Sequence, residues 1–210
     1  MKFGILATGV TTKILMITGA VALAVVLFFV IPFGGKAKSD IEALNNDAFQ
    51  GIIAGYTSGM MSTTSSIQVS FVNPIFDSLP IDAEVPDDLF DFTPNIDGKA
   101  QWVDVHTVSF VPNGQLPYGQ IYQVGFHLHE IMDVDDDLEL MEFNLQTAAL
   151  HLDTEILGLS YAETKGELLP TYKAILQFSD YIDTSILMRS VSAVQGDKSL
   201  EINWSHKAEG

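Results

Sequence analysis

Four groups of side chains have types and spacings on which chemistry could be built. Asp104 and His106 stand two apart beside Trp102, within the stretch FDFTPNIDGKAQWVDVHTVSFVP from Phe90 to Pro112, and an acid next to an imidazole can share a proton. His127 and His129 are also two apart, a spacing that on a β-strand turns both rings to one face, where they could ligate a metal. Asp133, Asp135 and Asp137 reproduce the carboxylates at positions 1, 3 and 5 of a calcium loop. Trp102 and Trp204, with tyrosines nearby, could stack a sugar ring.

Each group lacks a part. A strand carrying Asp104 and His106 on one face sets them side by side, with no activated hydroxyl to complete a triad. Ser58-Gly59 and Ser160 sit in no strand-turn-helix elbow of the G-x-S-x-G kind. The histidine pair has no evident third and fourth ligand, and the plain reading is a polar face opposite Val124, Phe126 and Leu128. In the aspartate run Leu138 stands where a calcium loop needs glycine, and Asn144 where it needs a bidentate glutamate. The plain reading there is a solvated acidic turn between strands. Trp204 follows Leu200 and Ile202 at strand period, which makes it a core residue. Asn203-Trp204-Ser205 is a glycosylation sequon, of consequence only in a eukaryotic secretory setting. The chain has no cysteine, which excludes disulfides, thiolate nucleophiles and Cys-ligated zinc. The expectation is a protein that is not an enzyme, with no catalytic residue, no cofactor site and no metal site.

The phase of the apolar residues decides the Asp104 group. Val103 and Val105 keep one phase and Val108 and Phe110 the other. A one-residue slip turns every later side chain to the opposite face, so a continuous half-buried strand needs a bulge or turn there. Asp104-Val105-His106 therefore reads as an exposed hairpin connection between a Trp102 strand and a Phe110 strand.

Those strands belong to an acidic chain with a long apolar segment near its start. All 27 acidic residues lie at or after Asp40, where only six Lys or Arg occur. Such a surface repels phosphate backbones, and a nucleic-acid partner is excluded. From Ile14 to Phe33 the run ILMITGAVALAVVLFFVIPF carries no charge, with Lys2 and Lys13 before it and Lys36 and Lys38 after. About 20 apolar residues span a bilayer as a helix, whereas a cleaved signal has a shorter apolar region ending at small-x-small. The segment reads as an uncleaved transmembrane signal-anchor. Lysine counts tie across it, so orientation rests on the short N-terminus and the acidic, strand-rich remainder, which is placed outside the cytoplasm. Ser39-Asp40-Ile41-Glu42 reads as a capping box that opens a short helix through about Asn46.

Beyond residue 67 period-two alternation dominates, the mark of half-buried strands. Ile67, Val69 and Phe71 form one apolar row, Tyr122, Val124, Phe126 and Leu128 a second, Met141, Phe143 and Leu145 a third. Pro-, Gly- and Asn-rich clusters separate the runs, as in an all-β sandwich. From about Leu150 further runs follow: Leu157, Leu159 and Tyr161; Tyr172 to Phe178; Leu200, Ile202 and Trp204. Asp183 or Thr184 can cap a helix with Leu187, Val191 and Val194 on one side and Gly196 at its end. Three strands and one helix make a thin core, so this unit reads as incomplete, and only if the chain ended at Gly210 is it expected to need a partner strand. The organisation read from the chain is a short N-terminal segment (1–13), the transmembrane helix (14–33), a spacer (34–49), an Ig-like sandwich domain (50–148) and a second, incomplete domain (149–210) that continues beyond Gly210.

The order of several blocks goes further. Tyr56-Thr57-Ser58-Gly59, Leu89 to Pro94, Ile96-Asp97-Gly98-Lys99, Trp102-Val103-Asp104, Thr107 to Pro112 and Leu116 to Tyr122 follow one another, then Phe126-His127-Leu128, Met132-Asp133-Val134, Asp137-Leu138 and Phe143. Gly166-Glu167-Leu168, Leu176 to Asp180 and Gly196 to Trp204 continue the series. From about residue 50 to 210 the chain resembles the N-terminal macroglobulin-type domains of bacterial alpha-2-macroglobulins of the Bacteroidetes type. The Trp102 to Tyr122 block is the most specific part. The resemblance implies macroglobulin-type β-sandwich domains in a protease inhibitor whose partners are target proteases, held by domains downstream. That family often carries a Cys-Gly-Glu-Gln thioester; a chain without cysteine cannot hold it, and the apolar helix replaces the family's usual lipid attachment. The expected function is thus a membrane-anchored, non-catalytic N-terminal part of an endopeptidase inhibitor, single-pass in the cell membrane with its globular part in the periplasm or at the cell surface. The alternative reading is a surface-exposed Ig-like adhesion or ligand-binding module.

Overall fold

The computed structural model describes residues 1–8, 47–78, 84–164, 166–195 and 197–207. The apolar segment 14–33 and the capping box at Ser39 lie outside the described residues. Among those described, no helix is long and apolar enough to cross a membrane. The chain is mostly β and divides into two compact units, one of Gly34–Ala149 and one of Met1–Phe33 with Leu150–Gly210.

In chain order the strands are β1 (Lys2–Thr8), β2 (Ile53–Tyr56), β3 (Gly59–Met61), β4 (Ile67–Phe71), β5 (Phe90–Thr93), β6 (Gly98–Asp104) and β7 (Thr107–Pro112). They continue as β8 (Ile121–His127), β9 (Leu140–Thr147), β10 (Leu152–Thr164) and β11 (Glu167–Phe178). After the helix α1 (Thr184–Ser190) come β12 (Val194–Gln195), β13 (Lys198–Ser199) and β14 (Glu201–Lys207).

Unit Gly34–Ala149 is a sandwich of two four-stranded sheets, β2-β4-β7-β6 and β3-β9-β8-β5. Its core is the sum of the alternating rows. Ile67, Val69, Phe71, Val108 and Phe110 from one sheet meet Phe90, Tyr122, Val124, Phe126, Met141, Phe143 and Leu145 from the other. Gln68, Gln123 and Glu142, the residues between, are exposed, as a sheet with one dry and one wet face requires. The β3–β9 pair is parallel while its neighbours are antiparallel. Thr147, fully buried at the end of β9, donates its hydroxyl to the carbonyl of Pro117 at 2.6 Å and accepts from the N–H of Gln120 at 2.9 Å. That clasp ties the loop before β8 to the end of β9.

The other unit has a four-stranded sheet in the order β10-β11-β1-β14 and a two-residue ribbon, β12-β13. Its middle includes β1, from the very start of the chain, antiparallel to both neighbours: Lys2–Thr8 pairs residue for residue with Thr171–Gln177 on one side and Glu201–Lys207 on the other. The partner strand that the thin core calls for is thus supplied by the N-terminus. Asp183 caps α1 by accepting from the N–H groups of Ser185 and Ile186, and Leu187 is fully buried against Phe3, Leu176 and Phe178. The helix ends at Ser190, earlier than the spacing of Val194 and Gly196 predicts, because Val191 turns to extended backbone and Val194 is taken into β12.

The hairpin β10–β11 reaches beyond β1. A bulge falls between Ile156 and Gly158, and Gly158 there has φ of +102°, a conformation that a side chain would strain. The sequence reads Leu157, Leu159 and Tyr161 as one half-buried row. In the structure all three are exposed, Tyr161 to 67%, since among the described residues no second sheet covers them.

Candidate functional site

The Asp104 group is a turn, built by the slip in phase. β6 and β7 are antiparallel neighbours whose register shifts between Trp102 and Asp104, so Val103 is the bulged residue and Val105-His106 closes the hairpin. The His106 N–H donates to Asp104 Oδ1 at 2.7 Å, a local side-chain-to-backbone bond that stabilises turns. Asp104 is exposed, as expected, but His106 is half-buried. The reason lies in the backbone: the carbonyls of Val105 and His106 accept from the N–H groups of Ile75 and Phe71, each at 2.8 Å. No proton-sharing geometry between the Asp104 carboxylate and the His106 ring is seen.

The histidines depart from the strand reading. β8 ends at His127, and Leu128–Glu130 is a turn of 3-10 helix. The two rings still lie 5.6 Å apart, edge to face. Each has its own carboxylate partner, His127 Nε2 with Asp91 Oδ2 at 2.7 Å and His129 Nε2 with Glu130 Oε1 at 3.2 Å, while His129 Nδ1 lies 3.3 Å from the Glu139 carbonyl. The carboxylates pull the rings to separate partners. Among the described residues no three His, Asp or Glu side chains converge to hold a metal ion.

Asp133, Asp135 and Asp137 are all exposed, and Asp136–Leu138 is a single 3-10 turn closed by the Leu138 N–H on the Asp135 carbonyl at 2.8 Å. Trp102 is not a sugar platform. It is buried between Phe71 and Phe76, with ring centroids at 6.2 and 5.0 Å, and its indole N–H donates to the Glu84 carbonyl at 3.4 Å. Trp204 packs half-buried, edge-on to Phe3 at 6.4 Å. The Ser160 hydroxyl donates to the Thr171 carbonyl at 3.3 Å and has no histidine beside it on its strand.

The feature the alternation does not reveal is the position of β1. Phe3 and Ala7 are buried, and Ile5 between them is half-buried, so alternate residues of β1 face the core. Phe3 stands edge-on to Phe178 at 6.1 Å. Ala7 fits between Ala193 and Leu200. At the strand's start, the Met1 ammonium donates to the Phe178 carbonyl and the Phe178 N–H to the Met1 carbonyl, both at 2.9 Å. The local signal, Phe3-x-Ile5-x-Ala7, spans only five residues and is interrupted by Leu6.

No family model matches the sequence, and no curated protein matches it. Among solved structures, L,D-transpeptidase 3 from Mycobacterium tuberculosis in complex with a faropenem-derived adduct is similar at 16% identity and TM-score 0.35, over 48% of this chain and 39% of that one. An L,D-transpeptidase from Mycobacterium tuberculosis H37Rv is similar at 17% identity and TM-score 0.34, over 46% and 40%. One from Mycobacterium smegmatis gives 12% and 0.31, over 56% and 49%. The chain spans about half or less of the length of these three structures, and likeness of this degree carries no functional argument.

Proposed function

We propose that the chain is a non-catalytic, membrane-anchored N-terminal part of an alpha-2-macroglobulin-like protease inhibitor, a spacer that positions a downstream trap at the cell envelope. The observation that carries this reading is where the resemblance falls in the fold. Trp102, Phe110, Leu116 and Tyr122, from its most specific block, are all buried in the sandwich core, and Gly98 and Asp104 open and close β6. Shared order at such positions is what a shared sandwich domain needs. The proposed second domain is a partial macroglobulin-type sandwich, with one four-stranded sheet.

The chemistry of the surface agrees with a spacer. The polar groups that looked reactive make local bonds: Asp104 to its own turn, His127 to Asp91, His129 to Glu130. Fold alone does not determine activity, so the test is made on the gene. Reading past Gly210 is expected to reveal further sandwich repeats and a protease-sensitive bait stretch. A stop codon there sinks the inhibitor reading in favour of a stand-alone adhesion or ligand-binding module.

A further inference from the structure

After β7 the chain turns at Asn113-Gly114, where a side-chain amide and the next main-chain N–H are both left to solvent. Both residues are exposed, and among the described residues neither the Asn113 side chain nor the Gly114 N–H has a hydrogen-bond partner. The flanks are fixed. The Asn113 N–H donates to the Asp97 carbonyl and the Leu116 N–H to the Thr63 carbonyl, each at 2.8 Å. A Cβ built on Gly114 would meet no atom within 4 Å, so nothing shields the peptide nitrogen that follows Asn113.

Asparagine is thermolabile because the next peptide nitrogen can close a five-membered ring on its side-chain carbonyl carbon. We infer that Asn113 is a site of spontaneous covalent modification, in which water converts it to an aspartyl or isoaspartyl residue. The Gly114 nitrogen, having lost its proton to solvent, attacks Asn113 Cγ; the N–Cγ bond forms, the Cγ–Nδ2 bond breaks, and Nδ2 leaves as ammonia with a proton from water. Water then opens the cyclic imide at one of its two carbonyls. No atom is oxidised or reduced, and water is the whole co-reactant.

The fold selects this position. The sequence holds two pairs in which Asn or Asp precedes glycine, Asn113-Gly114 and Asp97-Gly98. At the second, Gly98 is paired with Pro112 in the β6–β7 ladder, and a Cβ there would come within 2.5 Å of the Phe110 ring and the Val111 carbonyl oxygen. Approach is crowded at Asp97 and open at Asn113. The other asparagines among the described residues are each hindered. Asn73 precedes Pro74, which has no N–H. Asn95 precedes branched Ile96, and its Nδ2 donates to Asp97 Oδ1 at 3.2 Å. Asn144 and Asn203 lie within β9 and β14, with the large side chains of Leu145 and Trp204 following. Either product adds a carboxylate to an already acidic chain, and the isoaspartyl one inserts a carbon into the main chain between two pinned N–H groups.

The test is incubation of the full-length chain at neutral and at mildly alkaline pH, followed by mass spectrometry of chymotryptic peptides that span Asn113 and Asp97. A parallel sample is held unfolded in guanidinium chloride. Expected in the folded chain is replacement of the Asn113 amide by a hydroxyl, as two products of equal mass that separate on chromatography, formed faster at the higher pH, with Asp97 unchanged. In guanidinium chloride Asp97 is expected to yield its isoaspartyl isomer as well. Gly114→Ala is expected to fold, since Gly114 has open space around it and no positive φ, and to lose the reaction over the same interval. Asn113→Gln, whose ring would need six members, is expected to lose it too, with circular dichroism unchanged in both variants. An Asn113 amide that persists in the folded chain while converting in guanidinium chloride overturns the inference, and so does equal conversion at Asn95, Asn144 or Asn203.

Discussion

The carbonyl of Val105 accepts a hydrogen bond from the N–H of Ile75 at 2.8 Å, so the hairpin that carries Asp104 and His106 holds the chain leaving β4 through its backbone. The side chains contribute one exposed bond, from the His106 N–H to Asp104.

Replacing both Asp104 and His106 with alanine is therefore expected to cost only about 0.5–1.5 kcal/mol, the net value of one such bond. Urea unfolding followed by the fluorescence of Trp102, in a Trp204→Phe background, measures it. A loss near that of a core truncation would show that the two side chains do more than shape the turn.

Phe110 is the contrasting case. It is buried, with the ring of Phe92 at 4.5 Å and that of Phe90 at 5.9 Å, and Phe110→Ala is expected to cost about 3–5 kcal/mol. Across the ladder, a Cβ on Gly98 would come within 2.5 Å of both the Phe110 ring and the Val111 carbonyl oxygen. Gly98→Ala is expected to destabilise the sandwich by about 1–3 kcal/mol. Phe110→Leu should not rescue it, because the backbone oxygen cannot withdraw.

How much of this was legible follows from the range of each signal. The rows at Ile67–Phe71, Tyr122–Phe126 and Met141–Leu145 are local and strong, and all of their apolar residues are buried. The slip at Val103 was legible as a change of phase. His129 was misplaced on the strand because alternation continues through Leu128, which is buried from a 3-10 turn rather than from β8. β1 escaped because its pairing partners lie more than 160 residues away, and a local pattern carries no record of such contacts. The exposure of Leu157 and Tyr161 escaped for a different reason: alternation marks a strand but not whether a second layer covers it.

Through one buried hydroxyl Thr147 accepts from the Gln120 N–H and donates to the Pro117 carbonyl, with the Gln120 carbonyl a longer second acceptor at 3.3 Å. Thr147→Val keeps the shape and removes both, leaving the Pro117 carbonyl and Gln120 N–H without that partner, at an expected cost of about 1–3 kcal/mol. Thr147→Ser retains the hydroxyl and should lose less. Thermal unfolding of the two variants side by side separates the polar contribution from the methyl.

Asp183 gives a pH dependence with a definite sign. Its carboxyl is held below the usual carboxylate range by the Ser185 hydroxyl first, then by the N–H groups of Ser185 and Ile186, with Arg189 adding charge. A lowered folded value means that the carboxylate's stabilisation is fully present above its unfolded value near pH 3.9. It is lost as pH falls through the lower, folded value. Asp183→Asn can still accept the capping bonds, so it should be less stable than the parent at pH 6 and converge with it once the pH has fallen through that folded value. Circular dichroism melts over falling pH test the convergence of the two curves.

β10 is the outermost strand of its sheet, thirteen residues long, with Ile156, Leu157, Leu159 and Tyr161 open to solvent. Long apolar edges of this kind template self-association. Here Asp153, Glu155 and Glu163 are spaced along the same exposed strand, and like charges on two copies repel before their backbones can pair. Edge-to-edge pairing of two such strands is thus opposed by charge carried on the strand itself.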